Sequence, residues 1–194
     1  MRALAGSVVV FVMAASIASA DQIALEQGAS DVAETFLEEL GEAMTREMTK
    51  GGPIEAIIVC AKLAPDIAGR LSREHGWRVT RVGTRVRNPL LGMPDAWEQR
   101  VLAEFTERAA KGEAFADMTQ HEVVTEPAGQ YFRFMKPIAL HPKCLLCHGS
   151  SEQIPESIRI MLKQQYPFDA AIGYKAGELR GAVTIKQPLG SGNK

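Results

Sequence analysis

The chain has 194 residues, and 22 Lys and Arg stand against 23 Asp and Glu, for a formal charge of −1. That balance excludes a broad cationic surface for nucleic acid, and the basic stretch from Arg78 to Arg87 lacks the interleaved aromatics of a single-strand binder. With 46% hydrophobic residues, the length suits one domain with its own core.

Arg2, an apolar run from Leu4 to Ile17, and Ala18-Ser19-Ala20 before Asp21 form a secretory signal with a small-x-small cleavage site. The run is too short and too rich in Ala and Ser for a stable membrane span, and no later segment is apolar enough for one. Cleavage after Ala20 would send the product to the periplasm as a 174-residue chain (194 less 20), with no Cys behind the site to carry a lipid. The expected organisation is a signal peptide over 1–20, one domain over 21–189 and a disordered tail over 190–194.

Asp31 and Glu34 have capping-box spacing, and Val32, Phe36, Leu40 and Met44 recur every fourth residue, which predicts a helix from about Asp31 to Lys50 that stops at Gly51-Gly52. A second helix begins at Pro53 and reads to His75, with Gly76 as a left-handed cap. Pro65 inside it offers no N–H to the Ala61 carbonyl and crowds it, which predicts a kink one turn from Cys60. From Trp77 to Arg87 the sequence is strand-like, but Trp77 and Val79 fall in one phase and Val82 and Val86 in the other, so a bulge or break is expected near 81–83. A Gly/Pro loop follows Asn88. Asp95 and Glu98 then open a third helix with Trp97, Val101, Phe105 and Ala109 as its stripe and Gly112 as its stop. Strands at 121–125 and 130–138 flank the turn Glu126-Pro127-Ala128-Gly129. A short helix near 155–165 and a strand near 180–186 complete an α+β fold.

Between the second of those strands and the short helix lies Cys144-Leu145-Leu146-Cys147-His148, the attachment motif of a c-type haem. Two thiols three residues apart can each bond one vinyl group of the same porphyrin, and the next residue then offers its imidazole to the iron. Cys144 and Cys147 are thus the candidate thioether donors and His148 the proximal ligand of one covalent haem c. The competing readings of a CxxC pair, a thioredoxin-like disulfide or half a zinc site, need a βαβ setting or further ligands near by, and the sequence offers neither. Cys60 is left over. For the far side of the iron the candidates are Cys60, a methionine (Met44, Met48, Met93, Met118, Met135 or Met161), His75, His121, water, or nothing. Methionine commonly fills core gaps, and His75 suits a helix C-terminus without a metal. His141 sits too close to the motif to reach over. On chemistry alone Cys60 is more readily a buried inert thiol than a ligand.

The runs CAKLAPDIA (from Cys60), RVRNP (from Arg85), PDAWE (from Pro94), YFRFMKPI (from Tyr131), CLLCHG (from Cys144) and YPFDAAIGYKAGELRGAVTI (from Tyr166) occur in this order. Together they resemble the family of exported c-type haem domains with a PAS-like fold and Cys/His iron ligation, long catalogued as a domain of unknown function. That family occurs alone in cyanobacteria and as the sensor part of bacterial signalling proteins. The resemblance covers almost the whole mature chain. It implies that Cys60 is the distal iron ligand and that the sheet is a PAS-like antiparallel one with helices on its flanks. Residues 90–93 depart from the pattern, and no output module follows in this sequence.

A thiolate offsets the net positive charge of a ferric porphyrin core, so Cys60 ligation would favour the oxidised state and lower the potential. Reduction would then weaken the bond and let Cys60 take a proton or give way to a small ligand such as CO or NO. Arg81, Arg85 and Arg87 are candidate partners for the propionates, with Arg133 a weaker one; a solvated strand face accounts for the three equally well. Phe134 and Tyr174, with Phe132 and Tyr166, are candidates to wall the haem, against simple core packing. These features favour a redox or gas sensor module acting through a redox or signalling partner. A small electron carrier of the cell envelope is the alternative. A peroxidase-type enzyme fits least, because Cys60 would fill the position that peroxide needs.

Overall fold

The computed structural model describes residues 9–190, with side chains from Asp21 onward. The expected signal segment therefore lies outside the described residues except for helical backbone from Val9, as does the expected tail beyond Gly190.

Helix α1 (Val9–Ile58) is broken at Gly52, whose φ of 73° and ψ of −160° no β-carbon-bearing residue adopts readily. Sixteen residues of unbroken helix would separate Met44 from Cys60 by about 24 Å. Their sulfurs are 3.8 Å apart, so the chain reverses at Gly52 into a helical hairpin. The expected stop at Gly51-Gly52 is that reversal. The expected start at Asp31 is not a start: the helix runs through it, and Asp31 accepts from Gln27 Nε2 at 2.7 Å within the helix.

The returning arm passes through a π-helical turn (Val59–Leu63) into α2 (Ala64–His75), which Gly76 ends at φ 67°. Where the kink at Pro65 was expected, the backbone widens just before the proline. The Ala64 N–H reaches back five residues to the Val59 carbonyl, so the helix passes Pro65 after accommodating one extra residue in the turn.

Strand β1 (Arg78–Gly83) pairs with β4 (Leu179–Leu189) without a register shift, from Arg78 opposite Lys186 to Gly83 opposite Gly181. Of the bulge or break foreseen near 81–83, the break is what occurs: the strand ends at Gly83, and the phase change within it arises because both faces of the sheet are covered. Val79 packs under α1, and Val82 packs under α4 (Ala96–Ala110) on the other side. Asn88 caps a single helical turn, α3 (Pro89–Gly92), where a loop was expected; its Oδ1 accepts the Leu90 N–H at 3.1 Å. The capping box of α4 is present in both directions, Glu98 N–H to Asp95 and Asp95 N–H to Glu98.

Strands β2 (Gln120–Glu126) and β3 (Gly129–Ala139) form the expected hairpin. The sheet order is β1-β4-β3-β2, all antiparallel, with one register shift between Ile138 and Ala139. Alternation decides which core each residue joins. Phe132, Phe134, Val183 and Ile185 face Val32, Ala33 and Phe36 of α1, while Met135 and Ala182 face Trp97, Val101 and Phe105 of α4. After β3 come a 3₁₀ turn (Pro142–Cys144), α5 (Leu145–His148) and α6 (Glu156–Gln165). This is the α+β fold expected, an antiparallel sheet flanked by helices. Among the described residues no helix is long and apolar enough to cross a membrane.

Candidate functional site

The hairpin of α1 and α2, the outer strand β1 and the α5 segment enclose a cavity of about 890 Å³, a size suited to a large organic ligand. Cys60, Cys144, Cys147 and His148 all line it, although Cys60 lies far from the other three in sequence. The reversal at Gly52 and the return through the π turn put Cys60 on this wall.

The α5 segment is held by a strap from two other parts of the chain. Arg87 is buried beneath it; its Nε donates to Asp169 at 3.0 Å, and its Nη2 donates to the Cys147 and Ala171 carbonyls. Asp169 also accepts the Ala171 N–H at 2.7 Å, so that loop is fixed at both ends of the carboxylate. The Ala171 carbonyl then lies 2.7 Å from His148 Nδ1. A carbonyl only accepts, so Nδ1 carries the proton and Nε2 is left with its lone pair free. The Tyr174 N–H holds the His148 carbonyl at 2.9 Å, and its ring meets the imidazole edge-on with centroids 6.0 Å apart.

Charge reinforces this state. Burial, with Arg87 and Arg180 near by, pushes His148 down to about 2, so the imidazole stays neutral and able to ligate. Burial pushes Cys147 up to about 11 and raises Cys144 as well. Cys60 is half-buried, and its S–H donates to Met44 Sδ at 3.8 Å.

The candidate arginines part company. Arg81 lines the cavity. Arg87 lines it too, but its guanidinium is committed to the strap. Arg85 lies away from it, donating to the Gly173 carbonyl at 3.0 Å and to Glu178 at 2.8 Å across the Tyr174 ring. Arg133 is on the opposite face of the sheet, between Asp95 at 2.8 Å and Glu98 at 3.1 Å. Arg180, which sequence reasoning passed over, lines the cavity and donates to the Arg85 carbonyl at 3.1 Å. Its place in β4 opposite the end of β1 was the available signal.

Tyr166 lines the cavity, whereas Phe132 and Phe134 are buried in the core under α1 and Tyr174 reaches the site through His148 and Arg180. His121 stacks on Phe132 and lies 3.4 Å from Glu26, and His75 packs against Trp77. Of the described methionines, Met44 and Met48 line the cavity; Met118 and Met135 are in the core under α4, Met161 on α6 packs against the cluster of Ile57, Ile154 and Ile158, and Met93 is exposed.

Among the described residues no three His, Cys, Asp or Glu side chains converge as they would on a bare metal ion. The donors suit a macrocycle that brings four equatorial nitrogens of its own. Paired thiols, a neutral imidazole with its tautomer fixed, a sulfur from another element and largely apolar walls fit a covalently attached haem.

No curated protein matches the chain. Among solved structures, the crystal structure of the cyanobacterial heme-protein Tll0287 shares the fold, with a TM-score of 0.62 and 24% identity over 84% of this chain and 96% of that one. The pattern of the Tll0287-like family matches residues 14–188, which take in the helical hairpin, the whole sheet and the CxxCH segment, and by that match the chain belongs to the Tll0287-like family.

Proposed function

We propose that the chain is a periplasmic monohaem c-type protein that works as a low-potential redox or gas sensor module through a protein partner. The observation that carries this reading is the meeting of Cys144, Cys147, His148 and Cys60 on the walls of one cavity. Haem c, once attached, would supply a one-electron centre. Cys144 and Cys147 hold it through thioether bonds, and His148 offers Nε2 because Ala171 occupies its Nδ1 proton. Cys60 takes the distal position as a thiolate, which favours the oxidised state. Arg81 and Arg180 are the cations on the cavity wall best placed to serve propionates, since Arg85 and Arg87 are engaged elsewhere.

The sensing step belongs to Cys60, because the π turn and Pro65 give its helix a local place to yield. CO or NO would compete for the position that Cys60 gives up. A second reading, a small electron carrier, draws on the exposed apolar group Leu90, Leu91 and Met93, of which Leu91 lines the cavity mouth and offers a docking edge to a redox partner. A peroxidase role fits neither, since Cys60 would hold the position needed by peroxide.

Low-temperature EPR of ferric holoprotein beside Cys60→Ala tests the ligation. A low-spin thiolate signal in the parent that disappears in the variant is the expected result. An unchanged spectrum would overturn it and return Cys60 to the role of a half-buried thiol. Loss of Fe–S(Cys60) on reduction, with CO uptake, separates a sensor from a carrier that keeps both axial ligands.

A further inference from the structure

We infer that Met44 is a second distal ligand, taking the iron position that Cys60 leaves on reduction. The inference rests on the haem reading above and concerns the same site. Three observations meet on it. Met44 Sδ is the atom in contact with Cys60 Sγ, at 3.8 Å. Both residues line the same cavity as His148. Met44 is also absent from the cores that take in Met118 and Met135, so packing does not claim its side chain.

The two sulfurs come from opposite arms of the hairpin, which makes an exchange mechanically simple. Met44 is on the outgoing arm. Cys60 is on the returning arm, in a π turn bracketed by the break at Gly52 and by Pro65. A small slide or rotation of the returning arm withdraws Cys60 while the outgoing arm stays docked on the sheet through Val32, Ala33 and Phe36. Gly41 and Ala64, small residues on the same wall, leave room for the methionine to change rotamer. A thioether with three rotatable bonds spans such a gap easily.

The exchange balances. An external one-electron donor reduces the iron. The Fe–S(Cys60) bond breaks with its electron pair staying on Cys60, and the Fe–S(Met44) bond forms from a thioether lone pair. No atom leaves the protein. A neutral thioether suits ferrous iron, and a methionine ligand raises the potential where a thiolate lowers it. The protein would then hold its reduced state more firmly than a Cys/His site alone allows, giving hysteresis between the oxidised and reduced forms.

The test uses haem-loaded protein as the parent, Met44→Leu, Met48→Leu, Cys60→Ala and the Cys60→Ala/Met44→Leu double variant. Leucine keeps the volume and apolar character of methionine, so folding is retained. The ferric EPR spectrum is read first. A thiolate signal that survives Met44→Leu and is lost in Cys60→Ala leaves the Cys60 reading standing; a parent without that signal sinks that reading and this one with it. Dithionite-reduced protein is read second, by absorption and resonance Raman spectroscopy and by CO binding.

The expected result is a six-coordinate ferrous parent and a five-coordinate ferrous Met44→Leu. CO affinity should be about tenfold higher in Met44→Leu if the methionine occupies the position nine-tenths of the time. Cys60→Ala should show His/Met charge-transfer absorption in its ferric state, and the double variant should lack it. Met48→Leu should stay six-coordinate in the ferrous state. With the thiolate signal intact, identical ferrous spectra and CO affinities for the parent and Met44→Leu would overturn the inference. So would a ferric Cys60→Ala spectrum unaltered by adding Met44→Leu.

Discussion

Arg87 shows how much of the site depends on one side chain that need not touch the ligand. Its planar fork donates to a carboxylate and to two carbonyls, one in α5 and one in the loop after α6, and both it and Asp169 are about nine-tenths buried. Lysine cannot reproduce that fork. Arg87→Ala strands the Asp169 carboxylate and should cost about 3–5 kcal/mol in the urea unfolding free energy. Arg87→Lys should recover little of it. In both variants His148 loses the register that Ala171 gives it, so on the covalent haem proposed above the loaded fraction, read by haem stain against protein, should fall. Full loading in Arg87→Ala would show that the strap does not position α5. RVRNP was visible in the sequence as a basic cluster. Its use as an internal strap was not, because the partners, Asp169 and the Cys147 and Ala171 carbonyls, lie 60 to 84 residues away along the chain.

At the scale of elements, local signals were read well where one residue decides the geometry. The capping box at Asp95, the left-handed Gly76 and the β2–β3 turn all stand where the sequence puts them. Signals that depend on tertiary cover were read less well. The bulge or break expected near 81–83 is met by the strand's end at Gly83, but Val79 and Val82 differ in phase because helices lie on both faces of the sheet. Likewise a capping box at Asp31 has no force when helix already precedes it. Gly181 is a further case that the sequence leaves unmarked. Its φ is 156°, and a β-carbon there would sit 2.0 Å from the Val82 carbonyl oxygen in the neighbouring strand. Gly181→Ala should therefore destabilise the fold by about 3 kcal/mol or more, read as a lower urea midpoint with an unchanged slope. A shift of only a few tenths of a kcal/mol would mean that β1 can move away from β4 at small cost.

For the whole molecule, His148 ties stability to pH. Folding holds its pKa down to about 2, against about 6.5 in the unfolded chain. Above the unfolded value both states are neutral and the group is silent. Below it the unfolded chain takes a proton that the folded chain refuses, so stability is lost as pH falls from about 6.5 toward 2. The slope from this group is at most about 1.4 kcal/mol per pH unit. Haem-free chain should lose stability on acidification more steeply than its His148→Gln variant, in urea titrations compared at about pH 7.5 and 5.5. With His148 ligating through Nε2 as proposed above, haem-loaded chain should not show the difference, because the proton's place would be closed. Equal slopes for the haem-free chain and the variant would place His148 in water.

The sheet order sets a timetable as well as a shape. Strand β4 is the last element of the chain, yet it lies between β1 and β3 and bonds to both. A chain emerging from its N-terminus presents Cys144 and Cys147 before the strand that joins the two halves of the sheet has appeared. Until β4 arrives, β1 has no partner in the sheet and the wall that carries Arg180 is missing. The two thiols, half-buried with raised pKa values once folding ends, are at their most accessible during that interval. The covalent attachment proposed above would thus be best suited to a chain still open, with the late strand as the latch that shuts the door behind the cofactor.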